Sequence, residues 1–263
     1  MAPAARAELD RAEDIVGYET YVRLAGPFRS DQTVHASDNR HELRRAREAF
    51  ALAAQGRHVA VVSSGDPGVF AMAAAVLEVL DTTDDPAWRA VDLAILSGIS
   101  AAQAAAALAG APLGHDFCVL SLSDNLKPWE VIERRLEAAA AADFVLALYN
   151  PVSLARPLQF DRALGLLRRH RADDTPVVLG RDVGRPGESL TVTTIAAVRA
   201  AQVDMRTVVI VGSSQTRTVA RADGGAWVYT PRSYPAPVPK QSREGQGSAL
   251  DPQGAGRPLD PIR

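Results

Sequence analysis

The sequence predicts an α/β protein built from two domains, on three observations. Val59-Ala-Val-Val62 is a short, mostly β-branched apolar run, Gly65-Asp-Pro-Gly68 a sharp turn and residues 69–79 an apolar helical stretch, so the segment reads as buried strand, turn and helix. The same grammar returns at Ser97-Gly-Ile-Ser-Ala101 and at Ala147-Leu-Tyr-Asn-Pro151. Between these two, Ala111-Pro-Leu-Gly-His-Asp116 breaks the strand–helix alternation, which restarts at once; that divides the chain into domains at 1–112 and 113–232. With 263 residues, each half is long enough to bury a core of its own.

In order, residues 4–12 interleave charged and apolar side chains as a helix does, and Asp14-Ile-Val-Gly-Tyr18 is a short strand. A second strand is expected near Thr33-Val-His35, and Ser37 or Asp38 is placed to cap a helix over 40–54 that ends at Gly56 with Arg and Glu on a solvated face. After the strand and turn at 59–68 come a loop at 81–88, a buried strand at 91–96, and an alanine-dense helix at 100–109 closed by Gly110. In the second half, strands are expected at 117–122, 144–149, 176–180, 188–192 and 207–211, with an edge strand at 226–230. Helices are expected at 128–142, capped from Ser123-Asp-Asn125, at 158–170, and at 194–201. The Pro-, Gly- and Ser-rich stretch 233–263 cannot bury enough apolar surface to offset its ordering entropy and is expected to be disordered.

Composition excludes several classes of function. Twenty-nine basic against thirty-one acidic residues give a net charge of −2, so no global positive field recruits nucleic acid. All but Lys127 and Lys240 of the basic residues are arginines, whose forks suit carboxylates, although coding bias explains the same excess. Cys118 is the single cysteine and the five histidines are scattered, so neither a disulfide nor a protein-held metal is expected. Charges at Arg6, Glu8, Asp10 and Arg11 fall where a signal peptide needs an apolar core, and no run reaches membrane-span length; a soluble cytoplasmic protein is expected. The 65–68 turn is either an ordinary βα connection or a ligand site at a strand's carboxyl end, and it lacks the spacing of a dinucleotide or triphosphate loop.

Ser63-Ser-Gly-Asp-Pro-Gly-Val-Phe-Ala-Met72, Ser97-Gly-Ile-Ser-Ala-Ala-Gln-Ala-Ala-Ala106, Gly110-Ala-Pro-Leu-Gly-His-Asp-Phe-Cys118, Ser121-Leu-Ser-Asp124 and Leu148-Tyr-Asn-Pro151 resemble the tetrapyrrole methylase family. Gly180-Arg-Asp-Val-Gly-Arg-Pro-Gly-Glu188 and Thr207-Val-Val-Ile-Val-Gly-Ser-Ser-Gln-Thr216 extend the likeness over roughly residues 4–230. Within the family the chain is most similar to members that methylate C17 of precorrin-3B in corrin (vitamin B12) biosynthesis. The resemblance implies two α/β domains with S-adenosylmethionine (SAM) in the cleft between them, in a homodimer. It implies that SAM lies against Gly65, Asp66, Pro67, Val69, Ser100 and Ala101, and that Tyr149, Asn150 and Val183 close over it. It also implies a C-methylation coupled to ring contraction, giving precorrin-4, for which a general base must take a proton from a substrate hydroxyl. Asp66, His115 and Asp116 are the candidates, Asp66 being equally a turn-former and His115 equally a cap of the junction. The tetrapyrrole's acetate and propionate arms would pair with Arg156, Arg181 and Arg185, which follow strand ends.

One departure stands out. Family members open with a strand and a glycine-rich Gly-x-Gly-Pro-Gly loop, whereas Met1-Ala-Pro-Ala-Ala-Arg6 matches the helix after it. An N-terminal strand of the first sheet is therefore expected to be missing, either because the start is assigned too far downstream or because the chain lacks it. A sister methylase of another position and an N-terminally truncated, non-catalytic paralogue stay open as alternatives.

Overall fold

The computed structural model describes residues 1–38 and 41–234, so the expectation for the tail falls outside the described residues from 235 onward. Residues 1–233 form one compact unit. Its elements run α1 (Pro3–Arg11), β1 (Asp14–Tyr18), α2 (Glu19–Ala25), β2 (Thr33–Ser37), α3 (Glu42–Ala53), β3 (Val59–Val62), α4 (Met72–Thr82), α5 (Pro86–Arg89), α6 (Ala101–Ala109) and β4 (Gly110–Ala111). They continue with β5 (Phe117–Ser121), α7 (Trp129–Ala141), β6 (Val145–Tyr149), α8 (Gln159–Leu167), β7 (Pro176–Arg181), β8 (Ser189–Thr194), β9 (Thr207–Val211), β10 (Arg217–Ala220) and β11 (Ala226–Tyr229).

Three sheets carry the fold. The first, β2-β1-β3, is parallel throughout, with Ile15 opposite both Val34 and Ala60. Leu9, Ala12, Ile15, Ala25 and Val62 form one buried cluster there, and Phe50, Met72, Val76 and Val79 of α3 and α4 form another. The second, β5-β6-β9-β7-β8, is parallel only between β5 and β6 and antiparallel beyond. Against it α7 and α8 bury Ile132, Leu136, Phe160, Leu164 and Leu167, which join Leu146, Leu148, Val177 and Val209 in one cluster. The third is the β10–β11 hairpin, which adds β4 in parallel.

The alanine helix α6 belongs to the second sheet. Ala102, Ala105, Ala106 and Ala109 pack with Val145, Ala147, Val178, Val208 and Ile210. The approach is so close that a Cβ on Gly180 would stand 2.6 Å from the Ala105 methyl. Small residues on both surfaces let a helix lie that near a sheet, the reason for the alanine run.

Several expectations are corrected. Residues 91–96 form no strand: a strand exists only through ladder bonds to a neighbour, and no partner is present among the described residues. Leu93 and Ile95 are exposed there, and β3 pairs with β1 alone. The helix expected from 69 starts at Met72, because Val69 N–H donates to Asp66 O (3.2 Å) and Phe70 takes φ 52°, so the turn consumes the first residues. Helix α3 starts at Glu42 after His41, without a side-chain cap from Ser37 or Asp38; Arg40 lies outside the described residues. Helix α7 follows Pro128 rather than a cap from 123–125. The helix expected at 194–201 is a 3-10 turn at Ala200–Gln202, since β8 runs on to Thr194 in pairing with β7. Helix α2 and strands β4 and β10 were not expected, and the loop expected at 81–88 is cut short by α4, which runs to Thr82, and by α5 (Pro86–Arg89).

Candidate functional site

Two turns press together beyond the first sheet. Gly65 takes φ 75°, a region that favours glycine, and reverses the chain after β3. The Asp66 carboxylate spans both turns: Gly68 N–H donates to Oδ1 (2.9 Å) and Gly98 N–H to Oδ2 (3.0 Å). Those two donors, Gly98's first, hold its carboxyl below the usual carboxylate range. Gly98 is required by proximity, because a Cβ there would stand 2.1 Å from the Gly65 carbonyl oxygen. On the other side a Cβ on Gly65 would meet Ile99 O at 3.6 Å and the Ser100 Cα at 3.7 Å.

From Ser100 the chain enters α6 through a capping box: Gln103 N–H donates to Ser100 Oγ (3.3 Å), and Ser100 N–H donates to Gln103 Oε1 (3.2 Å). The next orphan donor of the helix, Ala102 N–H, donates to the Tyr149 phenol oxygen (2.8 Å) at the end of β6. The Tyr149 ring meets the exposed Phe70 ring edge-on, centroids 5.3 Å apart. The loop between β7 and β8 reaches the same place, where Arg185 Nη2 donates to Ser64 Oγ. Thus Gly65, Asp66, Ser100, Ala101 and Tyr149 converge, while Pro67 and Val69 belong to the same turn through Ala73 N–H to Pro67 O (2.9 Å) and Val69 N–H to Asp66 O.

The remaining expected residues are more dispersed. Asn150, at φ 53°, donates from Nδ2 to Ser121 Oγ (2.9 Å). Val183 packs with the cluster under α6. Arg156 is buried: its Nη1 donates to Asn150 O (3.4 Å), its Nη2 reaches Met205 Sδ (3.6 Å), and its Nε lies 3.9 Å from Asp124. Arg181 donates to Asp204 (2.9 Å) and to Asp182 (3.1 Å). His115 and Asp116 sit between β4 and β5, where His115 Nδ1 accepts the Asp116 N–H (2.8 Å) and the Asp116 side chain is solvated. A hollow lined by Glu130, Glu133, Arg134, Glu137, Ala138 and Arg169 is bordered by none of the turns at 65–68, 97–101 and 149–151.

Sequence reasoning did not single out Gly98, Ser64, Phe70 or Arg45. Gly98 was legible as a glycine in a strand-to-helix turn. Arg45 stands one helical turn before Ala49, on the buried side of α3, and helical spacing alone separated it from its exposed neighbours. Nothing local marked Phe70. No group of three His, Cys, Asp or Glu side chains able to hold a metal occurs among the described residues.

Comparison with known proteins follows the same lines. The family model for Tetrapyrrole (Corrin/Porphyrin) Methylases matches residues 1–199. A precorrin-3B C(17)-methyltransferase of a Sinorhizobium species is 51% identical over 235 residues, covering 89% of this chain and 91% of that protein. The cobalamin biosynthesis protein CobIJ of Mycobacterium tuberculosis is 50% identical over 239 residues, and the match spans 89% of this chain but 46% of that longer protein. Among solved structures, the methyltransferase CobJ superposes with a TM-score of 0.82 at 49% identity, over 88% of this chain and 93% of CobJ. A uroporphyrin-III C-methyl transferase from Thermus thermophilus, complexed with S-adenyl homocysteine, shares the fold at a TM-score of 0.58 and 18% identity, over 81% of this chain and 90% of its own.

Proposed function

The chain belongs to the tetrapyrrole (corrin/porphyrin) methylase family, and from that premise we propose that it is a SAM-dependent methyltransferase that methylates C17 of precorrin-3B, with ring contraction to precorrin-4, in corrin biosynthesis. The observation that carries this is 51% identity extending over 91% of a protein named for that reaction.

SAM supplies an electrophilic methyl group on a sulfonium. The turn at 65–68 suits it: it carries no side chain at Gly65 or Gly68, and the conjoined turns leave little freedom to rearrange. Gly65, Asp66, Pro67, Val69, Ser100 and Ala101 hold the donor from one side, and Tyr149, Asn150 and Val183 from the other. Because in-line displacement demands alignment above all, the chain's contribution is to fix these backbones and exclude water. Asp66, with both oxygens engaged and its carboxyl depressed, acts as a positioning group that clamps the turns. Proton removal for ring contraction is assigned to the His115–Asp116 pair, whose carboxylate is not clamped by backbone donors. Of the arginines expected to pair with the substrate's carboxylate arms, Arg156 is buried beside Asp124 and Arg181 bonds Asp204 and Asp182, which leaves Arg185 best able to take one.

The same reading makes the protein a cytoplasmic homodimer acting on a small-molecule tetrapyrrole, without nucleic acid, as a proposal. Exposed Leu126, Leu154 and Leu158 give a subunit contact apolar material, and light scattering tests it. No helix among the described residues is long and apolar enough to cross a membrane.

Incubation with SAM and precorrin-3B, followed by product mass and S-adenosylhomocysteine assay, tests the reading. One added methyl per turnover is expected. Folded protein that releases no S-adenosylhomocysteine refutes it and favours a non-catalytic module, a reading consistent with the unpaired outer edge of β3 and the unladdered run at 91–96.

A further inference from the structure

Beside the conjoined turns stand two arginines whose hydrogen-bond partners among the described residues are neutral groups. Arg45 is 2% exposed, yet its fork meets only neutral groups: Nη1 donates to Asp38 O (2.6 Å) and Ser37 Oγ (3.3 Å), Nη2 reaches Met72 Sδ (3.7 Å), and Nε has no partner. Burial lowers its pKa, and the Glu42 and Asp38 charges offset part of that, so the guanidinium is costly to keep where it is. Arg185 is half-buried, and its fork meets the neutral Ser64 hydroxyl.

The acids around Arg185 are committed elsewhere. Asp182 is buried and paired with both Arg181 and Arg206, Asp204 binds Arg181, and Glu188 accepts the Gly184 N–H (2.6 Å). These bonds brace the 182–188 loop and leave Arg185 projecting from it across to the first sheet. Arg45 and Arg185 are linked through neighbouring groups. Arg45 touches Met72, whose N–H donates to Ser63 Oγ (3.4 Å), next to the Ser64 that Arg185 binds. Both act on the Tyr21 phenol: burial raises its pKa, and the positive charges of Arg185 and Arg45 oppose that rise.

Arg185 and the Ser64 hydroxyl therefore meet beyond the carboxyl end of β3, beside the turn at 65–68, with Arg45 at the carboxyl end of β2 behind Met72. On the tetrapyrrole-methylase reading, we propose that Arg185 and Ser64, backed by the buried charge of Arg45, form a subsite for one carboxylate arm of the tetrapyrrole. Arg185 and Ser64 are the contacts; Arg45 is a positioning residue that acts from behind Met72. A carboxylate fits because it takes both prongs of an arginine fork. Arg156 and Arg181 differ in having carboxylates of this chain already beside them. The donor's amino-acid moiety also carries a carboxylate, so the ligands are tested separately.

The test titrates the full chain with uroporphyrin III, a stable tetrapyrrole with acetate and propionate arms, by fluorescence, and with SAM by calorimetry. For Arg185→Gln about a tenfold loss of porphyrin affinity is expected, with Arg185→Lys intermediate because it keeps the charge without the fork, and Ser64→Ala weaker by about threefold. Raising salt weakens wild type more than Arg185→Gln. Arg45→Lys retains more porphyrin affinity than Arg45→Met at matched thermal stability, a difference that a purely structural role does not produce. Wild type that binds porphyrin no better than Arg185→Gln overturns the subsite and leaves the family reading intact. A loss confined to SAM gives the subsite to the donor and overturns the tetrapyrrole assignment. Wild type that binds no porphyrin overturns the substrate reading and the subsite together.

Discussion

Replacing Gly98 with alanine puts a methyl group where two backbones already touch. The added Cβ would stand 2.1 Å from Gly65 O, 3.0 Å from Gly65 C and 3.3 Å from Asp66 Cα, and all of these are main-chain atoms that cannot rotate aside. Real Cβ atoms keep at least 3.0 Å from such neighbours, so the turns must separate by about 1 Å. That movement stretches the 3.0 Å bond from Gly98 N–H to Asp66 and releases the clamp. Overpacking of this kind costs about 1–3 kcal/mol, or about 2–12 °C in thermal midpoint for a domain of this size. A misplacement of about 1 Å at an aligned site costs on the order of 10²-fold in rate. Calorimetric titration with SAM, turnover of precorrin-3B and thermal unfolding measure the three effects. Gly165→Ala is the matched control: it lies inside α8, its Cβ would meet nothing within 4 Å, and it should gain about 0.5–1 kcal/mol. Wild-type SAM affinity and midpoint in Gly98→Ala would falsify the conjoined-turn geometry.

Three further outcomes follow from particular contacts. Tyr149→Phe removes the acceptor of the Ala102 N–H while keeping the ring against Phe70; a loss of about 0.5–1.5 kcal/mol in denaturant unfolding and weaker SAM binding are expected, and unchanged values would show the phenol to be idle. Arg171, with its side chain 1% exposed, donates to the carbonyls of Gly212, Ala140, His170 and Phe144, so Arg171→Met should cost about 3–5 kcal/mol; a midpoint in guanidinium within error of wild type would contradict that role. Asp14 is buried, and its carboxyl is held below the ordinary 3.8, first by its hydrogen bond to Arg57 and also by His35. A depressed carboxyl stabilises the fold above its unfolded pKa of about 4 and loses that contribution as pH falls through the lower, folded value. Wild type should therefore exceed Asp14→Asn in stability by a constant margin at neutral pH, the margin shrinking below about pH 4; a gap that stays flat into acid would rule this out.

Much of the site was legible because turn chemistry is local. Gly65-Asp-Pro-Gly68 announces a reversal after an apolar run, and Ser100 with Gln103 writes a capping box, and both features stand where the residues alone put them. The arginines were not legible in the same way: Arg156, Arg181 and Arg185 look alike beside strand ends, and only their neighbours separate two that have acids near them from one that meets a hydroxyl. Asp66 illustrates the same limit, since the residue type left base and turn-former open, and only the fold shows that its carboxylate accepts N–H groups from two turns at once.

By itself the sequence determined the α/β alternation, the family, and most of the strands in the second half, because apolar periodicity and turn residues act over a few positions of chain. It could not determine that 91–96 stays out of a ladder, that the alanine helix packs on the second sheet, or that Gly98 is pressed against Gly65. Each of these depends on which distant segment arrives alongside. Ladder partners, close approach and the pairing of buried charge are properties of neighbours in space, which only the folded chain supplies.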